Sequence, residues 1–94
     1  MVVDDDASAL ERTTGELLRR YGSDYRVVAE RSATVALAAL AAMHAAAEPV
    51  AVVLADPWLP ELAGAELLAR VRDLHPHAKR ALLVSMPSAT STSR

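Results

Sequence analysis

The chain contains no cysteine, which removes disulfides, thiolate metal sites and CxxC redox chemistry together and fits a reducing compartment. It has no GxGxxG turn, so the glycine cradle of a dinucleotide is missing as well. It has no basic stripe: 10 basic and 12 acidic side chains are scattered for a net charge of -2, and direct nucleic-acid binding is not expected. Met1 to Asp6 runs from two valines straight into acid, without the basic flank and long apolar core of a signal peptide. The chain therefore reads as cytoplasmic and free of membrane segments. A length of 94 residues leaves room for one domain, and 52% hydrophobic with 23% charged residues is the composition of a globular chain.

What is present alternates between short apolar runs and amphipathic stretches. Val2-Val3 before three aspartates reads as a buried strand ending in an acidic turn. Leu10, Thr13 or Thr14, Leu17 and Leu18 recur at helical spacing, Ser8 with Glu11 fits a capping box, and Tyr21-Gly22 supplies the stop. Tyr25 to Ala29 predicts a second strand, and Ser32 caps an alanine-rich helix in which Leu37, Leu40, Ala41 and His44 share a face. Glu48-Pro49 breaks that helix. Val50 to Ala55 is apolar throughout, the pattern of a strand buried on both faces. Pro57 and Pro60 impose a loop, and Gly64 opens a helix with Leu67, Leu68, Val71 and Leu74 on its apolar face before His75-Pro76. Ala81 to Ser85 predicts a fourth strand. The alternation βαβαβαβ argues an α/β fold, a right-handed and mostly parallel sheet with helices on both faces. Residues 1–86 form the expected domain, and the serine- and threonine-rich stretch 87–94 reads as a disordered tail.

Ligands of open parallel sheets bind beyond the carboxyl ends of the strands. Three of the four expected strands end in polar chemistry there: Asp4, Asp5 and Asp6, then Asp56, then Ser85. Carboxylates converging at one edge repel unless a cation sits between them, and oxygen ligands suit Mg²⁺. A nearby hydroxyl could hold a phosphoryl oxygen. His44, His75 and His77 lack the paired spacing of a metal site and read as surface or helix-end residues. Trp58, the only tryptophan, either packs over the Asp56 pocket or belongs to a partner surface.

In Val2-Val3-Asp4-Asp5-Asp6, Leu54-Ala55-Asp56-Pro57-Trp58-Leu59-Pro60 with Gly64, and Leu82-Leu83-Val84-Ser85, the sequence resembles the receiver domains of response regulators in two-component signal transduction. Arg19 to Val28 and Ala78 to Leu83 further resemble the receiver half of actinobacterial proteins that fuse a receiver to a thioredoxin-reductase-like flavoprotein. The resemblance implies a flavodoxin-like (receiver-type) sheet and a phosphoprotein rather than an ordinary enzyme. It implies Asp56 as phosphoacceptor, Asp4, Asp5, Asp56 and the carbonyl of Trp58 as ligands of Mg²⁺, and Ser85 as switch hydroxyl. It implies a histidine kinase or phosphotransfer protein as donor, and a fused or separate effector. Receivers also carry a lysine at the end of a fifth strand. This chain is expected to stop before that strand, C-terminally incomplete and prone to self-association.

Two other classes fit parts of the pattern. A degenerate receiver would act as a phosphorylation-independent interaction or dimerisation module. A haloacid-dehalogenase-like phosphohydrolase would use the Asp-x-Asp within Asp4-Asp5-Asp6, but needs a later lysine, a second acidic pair and a cap that this length hardly accommodates.

Overall fold

The computed structural model describes residues 1–83, and the elements follow in the order β1 (Val2–Val3), α1 (Ala7–Tyr21), β2 (Ala29–Glu30), α2 (Ala33–Ala45), β3 (Val52–Ala55), α3 (Gly64–Leu74) and β4 (Lys79–Leu82). The four strands form one sheet in the order β2-β1-β3-β4, with every neighbouring pair parallel. This is an α/β domain whose order is compatible with the flavodoxin-like fold. No helix among the described residues is long and apolar enough to cross a membrane.

Parallel pairing demands a crossover after each strand, and the right-handed rule then decides where each helix lies. The chain steps from β1 outward to β2, then back past β1 to β3 and on to β4. The first crossover and the later two run in opposite directions, so α1 covers one face while α2 and α3 cover the other. Burial bears this out through strand alternation. Val3, Val53 and Ala55 join Ala33, Ala36 and Leu40 of α2 and Leu67 and Val71 of α3 in one core cluster. Val2 is equally buried but outside that cluster, on the side of α1, whose one buried residue is Leu10.

Several local expectations shift. The cap of α1 is Asp6 rather than Ser8, because its carboxylate accepts from the Ser8 and Ala9 amides at 3.0 and 3.4 Å. Ser32 caps α2 as expected, accepting from Val35 N. The buried face of α2 is Ala33, Ala36 and Leu40, while Ala41 and His44 are exposed. The helix is apolar almost all round, so periodicity alone gives no contrast with which to choose a side. Strand β2 has only two residues, Ala29–Glu30; of the expected stretch before it, Val28 still accepts from Val2 N–H of β1 at 2.8 Å, but Tyr25 to Val27 lie outside the strand. Strand β3 is Val52–Ala55, with Val53 and Ala55 buried but Val52 40% exposed, so it is not covered on both faces along its length. Strand β4 begins two residues before the expected Ala81, and all four of its residues are exposed. His75, expected at a surface or helix end, caps α3 but is buried, its Nε2–H donating to the Leu40 carbonyl at 2.9 Å. Ser85 and the stretch 87–94 lie outside the described residues.

Candidate functional site

The register of the sheet builds the site. Val3 pairs with Ala55, so the next residues along the two strands, Asp4 and Asp56, emerge side by side at the carboxyl edge. Two backbone bonds hold them there: Asp56 N–H donates to the Val3 carbonyl at 2.9 Å, and Asp4 N–H to the Glu30 carbonyl at 3.0 Å. One carboxylate oxygen from each of Asp4, Asp5 and Asp56 lies within 4.8 Å of the others. Sequence reasoning named all three, and the structure brings them together.

Their surroundings differ. Asp4 is only 6% exposed, and its Oδ1 accepts from Asp6 N–H at 3.0 Å. Among the described residues that is the one hydrogen bond to its side chain, so its other carboxylate oxygen has no protein partner. Asp56 is half-buried, and its Oδ1 accepts from Trp58 N–H at 3.2 Å in an Asx-type turn, leaving its other oxygen without a hydrogen-bond partner among the described residues. Three carboxylates at this spacing form a cluster that could bind a metal ion, and all-oxygen donors suit a hard divalent cation such as Mg²⁺.

Gly64 sets the approach of α3 to the acceptor loop. A Cβ at this position would collide with the carbonyl of Asp56 and crowd the Cα of Pro57, both of them backbone that cannot swing aside. The Gly64 amide donates to the Pro57 carbonyl at 3.2 Å, so loop and helix start are tied together. Leu59, 6% exposed, plugs the loop into the core.

No family model matches the chain, and the comparisons with curated proteins and with solved structures gave no match. The site therefore rests on its own geometry.

Trp58 is 83% exposed, which removes the expectation that its ring packs over the Asp56 pocket; its amide, not its indole, engages the site. Two residues that sequence reasoning passed over tie down the surrounding loops. Arg31 donates from Nε and Nη2 to the Asp5 carbonyl at 3.3 and 3.0 Å. Glu61, in the loop after Asp56, accepts from the Ser32 hydroxyl at 3.1 Å and from Ala33 N–H at 3.4 Å, latching that loop to the start of α2. Arg31 immediately follows β2, and the parallel pairing of β2 with β1, which no local sequence pattern expresses, brings it to the same edge.

Proposed function

We propose that the chain is a receiver-type signalling module that takes a phosphoryl group on Asp56 from the phosphohistidine of a histidine kinase or phosphotransfer protein. The observation that carries this reading is the convergence of Asp4, Asp5 and Asp56 within 4.8 Å at the carboxyl edge of a parallel sheet. Resemblance of the acidic turn and of the Asp56-Pro57 loop to receivers supports it further.

The chemistry is a displacement at phosphorus. A carboxylate oxygen of Asp56 attacks, the phosphorus–nitrogen bond breaks, and the electron pair leaves with the donor imidazole, which takes a proton from solvent. An ionised carboxylate needs no base. Asp4, Asp5 and Asp56 would hold Mg²⁺, which when bound offsets the charge of the phosphoryl oxygens. The Trp58 amide holds one Asp56 oxygen at 3.2 Å, which leaves the other without a protein partner among the described residues and free to attack. The Trp58 carbonyl as a further ligand and Ser85 as the switch hydroxyl remain part of this proposal through the resemblance alone.

The test is Mg²⁺ titration followed by Trp58 fluorescence, together with labelling by a small phosphoramidate. Wild type should bind Mg²⁺ and acquire a hydroxylamine-sensitive label, and Asp56→Asn should bind the ion at least about fivefold more weakly and take no label. Equal binding curves, or a label on serine, would refute the assignment. Retained partner binding without labelling would favour the interaction module, and phosphatase turnover dependent on Asp4 the phosphohydrolase.

A further inference from the structure

We infer that Arg31 is a binding residue for the phosphoryl oxygens at this edge, an inference that rests on Asp56 as acceptor. Arg31 stands where acid is dense. Asp4, Asp5 and Asp56 form the cluster, Asp6 and Glu30 adjoin it in sequence or register, and Glu61 lies in the loop that follows. Yet among the described residues the Arg31 guanidinium makes no ion pair despite these acidic neighbours; Arg12, Arg72 and Arg80 are likewise unpaired, while Arg19, Arg20, Arg26 and Arg70 each lie within 4.0 Å of a glutamate. Arg31 is held instead by a neutral group, the Asp5 carbonyl, through Nε and Nη2. Its Nη1 has no hydrogen-bond partner among the described residues.

This arrangement fixes a full positive charge beside the cluster without spending it on a carboxylate. A guanidinium carries five N–H donors in a planar fork suited to phosphate oxygens, and two of its nitrogens are used here. Phosphorylation of Asp56 replaces a singly charged carboxylate by a group of about -1.5 to -2 with three strong acceptors. At an edge already crowded with acid, that added charge calls for a cation besides a metal ion. Arg31 is the basic residue anchored at the cluster. It follows a strand paired with β1, so it is positioned by the sheet rather than by a loop alone.

The experiment compares two ligands on the full chain: Mg²⁺ alone, and beryllium trifluoride, a phosphoryl mimic, at saturating Mg²⁺, read by ¹⁹F NMR. Arg31→Gln should weaken beryllium trifluoride about tenfold or more, the scale of a lost charge-assisted hydrogen bond. It should leave Mg²⁺ affinity unchanged or slightly tighter, since a repelling cation has gone. Arg31→Lys should recover part of the loss, by keeping the charge without the fork. Equal weakening of both ligands would show that Arg31 only props the Asp5 turn, and equal affinity for both would show that it touches neither; either overturns the inference while leaving Asp56 intact. Failure of the wild type to bind beryllium trifluoride would remove the acceptor reading itself.

Discussion

Gly64 shows how a single absent methyl group governs the acceptor loop. Its Cα lies so close to the Asp56 backbone that any Cβ meets the Asp56 carbonyl, and the helix start or the loop must move to relieve it. Gly64→Ala is therefore expected to destabilise the domain by about 1–3 kcal/mol, the usual range for overpacking a tight contact. The same shift would displace the Asp56 carboxylate from Asp4 and Asp5, so Mg²⁺ affinity should fall with stability. A thermal melt combined with the Mg²⁺ titration checks both, and a variant unchanged in both would mean that the approach of α3 is not what holds the loop. The sequence pointed to Gly64 as a helix opener, and it does open α3. The closer reason, an encounter with backbone eight residues earlier, depends on tertiary packing that no local pattern expresses.

At the scale of the element, the end of α2 carries a strained residue. Ala47 has φ 57°, in the left-handed region, where its amide donates to the His44 carbonyl at 3.1 Å while that of Glu48 donates to Met43 at 2.8 Å. This is the paired capping arrangement that ordinarily uses glycine. Ala47→Gly should raise stability by about 0.5–1 kcal/mol, the Cβ strain relieved less the greater freedom of glycine in the unfolded chain. For a chain of this size that corresponds to a rise in Tm of roughly 2–8 °C, measurable by circular dichroism, and a fall would contradict it. Sequence reasoning found the break at Glu48-Pro49, since proline constrains the residue before it, but the turn that precedes it gives no sign in a run of alanines. The same alanines hid the buried face of α2, whereas that of α3 was legible; on α1 the spacing found Leu10, which is buried, but also pointed to Leu18, which is 51% exposed because the helix covers only part of its sheet face.

For the molecule as a whole, the unequal covering of the sheet matters most. Helix α1 reaches only the β1 and β2 side of its face, leaving Val52 at 40% exposure, and all of β4 is exposed, with Leu82 also at 40%. Between α3 and β4 an open groove is lined by Ala65, Leu68, Ala69 and Leu82, with Arg72 and Arg80 beside them. The outer edge of β4 has no strand partner among the described residues, and an open apolar edge invites pairing with another chain. Each large side chain left wet forgoes roughly 1.5–3 kcal/mol of burial against the 5–15 kcal/mol that stabilises an ordinary domain. The 94-residue chain should accordingly melt at low temperature or associate, and Leu82→Lys should shift it toward monomer. Sedimentation velocity and a thermal melt measure this, and a monomer with a sharp, high-temperature transition would defeat the expectation.

The sequence by itself determined the order of strands and helices and which carboxylates would stand at strand ends. An apolar run stopped by acid or proline marks the end of a strand, and parallel strands joined by right-handed crossovers present those ends at one edge. Only the tertiary structure decided the rest. The register of Val3 on Ala55 placed Asp4 beside Asp56, and the pairing of β1 with β2 brought Arg31 to the Asp5 carbonyl. Packing left Trp58 and β4 open to solvent. Such contacts join residues dozens of positions apart, and their energies depend on how faces meet, which hydrophobic periodicity along one chain does not encode.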